Sequence, residues 1–374
     1  MNISYHSSTV NDEVVKYCNA LLKITRQNIM NRIIFSLVVI LLIATEQNIY
    51  AQATIDKKQQ FASIGNFRLE NGQQINDCKI GFRTFGKLNA KRSNAVIYPT
   101  GGGSTTFMVE SFFGAGLDVD TIRFYLILID ALGNGVSSSP SNSNSQPKTL
   151  FPQFSIKDMV NTQHKMLTEN LNIHHLVAVV GESMGGCQAL QWAVSYPDFM
   201  DKVVSIEGTP KFSTYDLLWT NTYIESVIND TAYHGGNYNI NPVLPFATHL
   251  SQLMLTTPAY LNNSVPADSF SSWLASIGNN PFTVDCNNML WQIKACAAQD
   301  ISSMAKGSME NTAKMIKAKM LIIANKQDHM INQELSIKFA GMANAELVVM
   351  DNDLGHLIFS EKIPIEATRK FLSQ

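Results

Sequence analysis

A serine, an aspartate and a histidine, far apart along the chain, have the residue types and order for nucleophilic chemistry. The serine is Ser183, in Val179-Val180-Gly181-Glu182-Ser183-Met184-Gly185-Gly186. Leu176 to Val180 is a run of large apolar and β-branched residues, the pattern of a buried strand. Cys187 to Ser195 carries Ala189, Leu190 and Ala193 at helical spacing, and Tyr196-Pro197 ends it. A Gly-x-Ser-x-Gly match alone is a common turn. Between a strand and a helix it is expected to hold the serine in a strained turn, with its hydroxyl above the strand ends. The flanking glycines are needed where a side chain would collide with the neighbouring strand or helix. The helix aims its N-terminal N–H groups at the same place, which suits an oxyanion.

A serine hydroxyl is a poor nucleophile until a base takes its proton, and an acid must hold that base in one tautomer. On such an elbow the acid and then the histidine follow the serine along the chain. Of the later histidines, His234 and His249 fall in a helical stretch and His329 directly follows an aspartate. His356 follows Gly355 a few residues past the last expected strand, where a loop can bring it over the serine. Asp328, after the strand-like Lys319 to Ala324, is the expected acid. Asp351 and Asp353 compete, but stand so near His356 that they are expected to shape its loop. One oxyanion donor is the backbone N–H of Met184. The second is expected from Thr100, Gly101 or Gly102, in Pro99-Thr100-Gly101-Gly102-Gly103-Ser104. That loop could also be a plain connector; a phosphate loop is disfavoured, since no Gly-Lys-Ser/Thr follows.

These residues must be positioned by a sheet. Phe67 to Gly86 reads as an antiparallel pair turning at Asn71-Gly72. Asn94 to Tyr98, Phe124 to Asp130, Lys202 to Glu207, Lys319 to Ala324 and Ala345 to Met350 read as further strands. Ser155-Ile156-Lys157-Asp158 reads as an N-cap with an acid three residues on, opening a helix to about Asn170. Pro364 to Leu372 is a terminal helix. The Ser-rich run Ser137 to Ser145 reads as a flexible loop, placed to rim a ligand crevice. From Thr209 to Ser308 strand-like runs stop, and helical segments such as Tyr215–Ile228, Ser251–Thr256 and Asn288–Ala298 take over. The alternation of strand and helix, with apolar parallel-type strands, is that of an α/β fold with a mostly parallel central sheet. The expected organisation is an N-terminal extension over residues 1–53, a core over 54–208 and 309–374, and a helical lid inserted at 209–308.

The chain has 374 residues, 45% hydrophobic and 16% charged, with a net charge of −2. No basic stripe suggests nucleic acid. Met30-Asn31-Arg32, the apolar Ile33 to Ala44 and Ala51-Gln52-Ala53 read as a secretory leader cleaved near Ala53, with Met1 or Met30 as the start. The apolar run is short for a membrane span, so stable membrane insertion is not expected. Export permits disulfides, and Cys286 with Cys296 is the plausible pair; Cys18 lies in the leader, and Cys187 reads as a small buried thiol. No Cys/His spacing reads as a metal site, and no cofactor is expected.

Several motifs together resemble the homoserine O-acetyltransferase-like branch of the α/β-hydrolase superfamily. They are Phe82-Arg83-Thr84-Phe85-Gly86-Lys87-Leu88-Asn89, Asp130-Ala131-Leu132-Gly133-Asn134-Gly135, Phe154-Ser155-Ile156-Lys157-Asp158-Met159-Val160, Gly181 to Gly186 with Gln188-Ala189-Leu190-Gln191-Trp192-Ala193, and Gly355-His356. The resemblance covers nearly all of the chain after the leader. It implies an α/β-hydrolase fold with a helical lid, an acyl-enzyme mechanism on Ser183, Asp328 and His356, and homodimers through the lid. The sequence departs from that branch in three places. No arginine stands between Arg123 and Arg369, whereas homoserine acyltransferases hold the substrate carboxylate with a lid arginine. Glu182 precedes the serine where a small residue is usual, and the Pro-Thr-Gly-Gly-Gly loop lacks their histidine. The expected function is an exported serine hydrolase of an ester or related acyl bond. The alternatives are an O-acyltransferase with an alcohol or thiol acceptor, and a non-catalytic binding protein on the same fold.

Overall fold

Runs such as Leu126-Ile127-Leu128-Ile129 are apolar at every position, so both faces of these strands must be covered. The chain does this with one eight-stranded sheet and helices on both sides. The structure is a computed structural model that describes residues 59–114, 117–279 and 284–374. The expected leader, its cleavage site and Cys18 lie outside the described residues.

The strands are β1 (Gln60–Arg68), β2 (Gln74–Phe85), β3 (Ala95–Pro99), β4 (Tyr125–Ile129), β5 (Leu176–Glu182), β6 (Met200–Ile206), β7 (Lys319–Asn325) and β8 (Glu346–Met350). Their order is β1-β2-β4-β3-β5-β6-β7-β8. β1 pairs antiparallel with β2, and β2 with β4. All later pairings are parallel. The antiparallel pair is as expected, with its turn at Asn71-Gly72, but its first strand begins at Gln60 rather than near Phe67. β1 lies at the sheet edge, breaks register at Gly65 and carries exposed polar residues, so its alternation is weak in the sequence.

A short helix, α1 (Thr106–Val109), follows β3. Successive side chains of a strand point to opposite faces. Ile127 and Ile129 enter one core with α2 (Ile156–Lys165) and α3 (Met184–Ser195), through Met159, Val160, Leu190 and Trp192. Leu126 and Leu128 enter the other, closed by Phe371 and Leu372 near the C-terminus. The capping box at Ser155 and Asp158 forms as read and starts α2. Between β6 and β7 the chain is helical: α4 (Thr214–Ile228), α5 (Pro245–Leu255), α6 (Pro258–Ser264), α7 (Phe270–Asn279), α8 (Cys286–Ala297) and α9 (Met309–Met315). α10 (Glu334–Met342) and α11 (Lys362–Ser373) follow β7 and β8.

Two expectations are overturned. The Ser-rich run is irregular but its start is firmly bound. Ser137, Ser138 and Ser139 are buried. Ser137 Oγ accepts from the Gly81 amide, and Ser138 Oγ from the Lys79 amide. β4 ends at Ile129, so these hydroxyls take up β2 amides that the sheet leaves unpaired. The cysteine pairing also fails. Cys286 and Cys296 are both buried and free. They sit ten residues apart on α8, about 15 Å along its axis, beyond the reach of a disulfide.

Candidate active site

β5 delivers Ser183 and α3 carries the chain away, with Ser183 at φ 54°, ψ −123°. A side chain cannot replace the flanking glycines. A Cβ at Gly181 would lie 2.1 Å from the Gly185 carbonyl oxygen, and one at Gly185 would lie 2.4 Å from that of Pro99. The elbow therefore packs backbone against backbone, and this holds the strained serine in place.

His356 Nε2 lies 2.8 Å from Ser183 Oγ, and His356 Nδ1 lies 2.8 Å from Asp328 Oδ2. His356 and Asp328 are buried. Asp328 Oδ1 accepts from the Met330 and Ile331 amides, and Oδ2 also from Gln333 Nε2. These bonds aim the carboxylate at the imidazole. The His356 loop is tied from below, where Asn325 Nδ2 donates to the Gly355 carbonyl at 2.7 Å. It is tied from the side, where the His356 amide donates to the carbonyl of Leu255, the last residue of α5. The three residues singled out in the sequence thus meet. Asp351 and Asp353 are exposed, away from the Nδ1 partner position. His234 is exposed in a short helical turn, while His249 lies within α5.

The oxyanion candidates separate. Met184 opens α3, where the first N–H groups lack intrahelical partners. Thr100 is removed from the set, because its amide donates to the Ile129 carbonyl. Gly101 lies over the serine: a Cβ there would be 3.8 Å from Ser183 Cβ. Gly102 is exposed, with nothing within 4 Å of such a Cβ. The loop is held by Asp130, which accepts from the Thr106 amide, and by Gln292 of α8. Gln292 Oε1 accepts from the Gly103 amide, and its Nε2 donates to the Leu132 carbonyl.

Sequence reasoning missed Asp118 and Glu207, carboxyl groups behind the serine–histidine–aspartate set, and noted Glu182 only as an unusual residue before the serine. Glu182 is buried, and its pKa is pushed up to about 7 by burial, against the opposing effects of a Tyr98 hydrogen bond and of His356. Asp118 is likewise pushed up to about 7 by burial and by Glu182, with Arg369 pulling it down. Glu207 follows β6, and burial together with Asp328 and Glu182 drives its pKa well above the usual carboxyl range. Its place at the carboxyl end of a parallel strand beside the nucleophile strand was the available signal. Glu207, Asp328 and His356 are also a group of metal-capable side chains, yet both ring nitrogens of His356 already face Asp328 and Ser183.

Residues 94–363 match the family described as alpha/beta hydrolase fold. An ethyl acetate hydrolase of Pseudomonas veronii is 30% identical over 310 residues, covering 80% of this chain and 89% of that one. A homoserine O-acetyltransferase of Haemophilus influenzae is 36% identical over 182 residues, 45% of this chain and 50% of that one. The structure of an acetylester hydrolase from Corynebacterium glutamicum superposes with a TM-score of 0.79 at 26% identity, over 84% of this chain and 96% of that one. Among the described residues, no helix is long and apolar enough to cross a membrane.

Proposed function

The chain belongs to the α/β-hydrolase fold family, in the homoserine O-acetyltransferase-like branch whose members work on acyl groups, and from that premise we propose that it is a serine esterase. The observation that carries this is the pair of 2.8 Å contacts from Ser183 through His356 to Asp328. His356 takes the Ser183 proton as Oγ attacks the ester carbonyl. The N–H groups of Met184 and Gly101 receive the oxyanion. His356 returns the proton to the departing alcohol, and Asp328 balances the imidazolium meanwhile. Water, deprotonated by the same histidine, then cleaves the acyl-enzyme and releases the acid.

Relatives that span 80% of the chain include both an ester hydrolase and a probable acyltransferase, so coverage does not separate the two activities. One feature favours hydrolysis over transfer. The segment between β6 and β7, read as a lid over 209–308, contains no arginine to clamp an acceptor carboxylate. The leader would place this activity outside the cytoplasm, and exposed Leu218, Phe246 and Leu253 on the lid helices offer an apolar face for a second copy.

A fluorophosphonate probe should label Ser183 in the folded protein, and Ser183→Ala should abolish both labelling and turnover of short-chain esters. A wild-type protein that resists the probe would refute the reading. An ester panel run with and without alcohol acceptors separates the rival: an acyl-alcohol product in place of free acid would assign the chain to transfer.

A further inference from the structure

Glu207 is a buried carboxyl in the site that the triad leaves unused. It is 1% exposed, and the Ile358 backbone N–H approaches it without forming a full hydrogen bond to either oxygen. Its Oε2 lies 3.7 Å from His356 Nδ1. Ligand atoms of Glu207, Asp328 and His356 all lie within 4.8 Å of one another. The groups facing it are Asp328 after β7, His356 and the Ile358 backbone after β8, and Glu182 at the end of β5.

A carboxylate with no strong donor and two other acids beside it is costly to bury. The neutral acid avoids that charge. We propose that Glu207 rests as the neutral acid and is a positioning residue, a second acid that holds the His356 Nδ1–H when Asp328 cannot. The inference rests on reading Ser183, His356 and Asp328 as a hydrolytic triad. In the resting site Glu207 keeps its proton and Asp328 accepts from Nδ1. If the Asp328 carboxylate is removed, the negative charge that keeps Glu207 neutral goes with it. The Glu207 proton passes to water, and Oε2 closes from 3.7 Å toward the 2.8 Å that Asp328 now has. The raised pKa of Glu207, caused by burial and by Asp328, agrees with a retained proton.

Two measurements test this on the full-length protein. Infrared difference spectra between wild type and Glu207→Gln at neutral pH should show a buried carboxylic-acid C=O stretch that the variant loses; Glu207→Leu serves if the glutamine does not fold. A spectrum without that band overturns the neutral resting state of Glu207. In the second, kcat/KM for a short-chain ester is measured for wild type, Asp328→Ala, Glu207→Gln and the double variant, each checked for a cooperative melt. Asp328→Ala should keep about ten-fold more activity than the double variant, a coupling expected only of groups that touch one partner. Its residual rate should rise with pH as Glu207 ionises, and this rise should be missing from the double variant. Equal rates for Asp328→Ala and the double variant overturn the second-acid role. If the wild type cleaves no ester, the esterase reading falls, while the infrared result still decides whether Glu207 holds its proton.

Discussion

Two buried carboxyl groups at the carboxyl ends of sheet strands have opposite surroundings. Asp130, just after β4, is fully buried and accepts from the Thr106 amide, Thr106 Oγ1, Asn134 Nδ2 and Gln59 Nε2 at 2.8 to 3.0 Å. Glu207, just after β6, is as deeply buried and has no full hydrogen bond, only the approach of the Ile358 backbone N–H. A carboxylate that keeps its charge in the interior needs donors on its lone pairs. One without them is driven to its neutral form. Asp130 therefore acts as a fastening, tying the loop of Gly101 to the sheet. Glu207 is an unmatched group held beside His356, the kind of perturbed site that clusters where chemistry is done.

The contrast can be broken most sharply at Asp130. Asp130→Ala removes the acceptor of four donors at once, three of them buried, and should cost about 3 kcal/mol or more in urea unfolding. Glu207→Leu removes a carboxyl group that lacks full hydrogen bonds and should stay within about 1 kcal/mol of wild type, or gain. Equal losses for the two variants would erase the distinction.

The pH dependence of stability sharpens it next. The folded state binds the Glu207 proton more tightly than the unfolded chain does, since its pKa is raised from 4.5. Stability from this group is complete below about pH 4.5 and is lost as pH rises toward the folded value. Glu182 and Asp118 act in the same direction up to about pH 7. Wild-type stability should thus fall between pH 5 and 7. Glu207→Gln should flatten that fall by up to about 1.4 kcal/mol per pH unit. An unchanged slope would mean that Glu207 is ionised throughout.

The smallest effect is expected at the far end of the Asp130 fastening. Gln292→Ala removes the acceptor of the Gly103 amide while leaving Asp130 in place. It should lower kcat about five-fold with KM nearly unchanged, the loss of about one hydrogen bond in holding the oxyanion loop. A change in KM alone would show that Gln292 contacts substrate instead of steadying the loop.

The sequence made the elbow, its base and its acid legible because each sits next to a strand end, and parallel strands are the strongest local signal in this chain. Ser183, Asp328 and His356 were read from order and from proximity to apolar runs, and the structure brings them to hydrogen-bonding distance. The Ser137–Ser139 stretch was misread because serine composition says nothing of the unpaired β2 amides waiting for those hydroxyls. Cys286 and Cys296 were misread because closeness in sequence was taken for closeness in space, whereas a helix keeps them apart.

What the sequence determined alone was therefore local and ordinal: which residues end strands, which glycines a turn requires, and the order serine, acid, histidine. What only the tertiary structure decided was which amides were already spent and which buried carboxyl lacked full hydrogen bonds. Thr100 lost its candidacy to a bond across the sheet, and Glu207 gained its place by facing His356 from a neighbouring strand. Hydrogen-bond satisfaction and desolvation depend on residues distant in sequence that the fold brings together, and no local pattern encodes them.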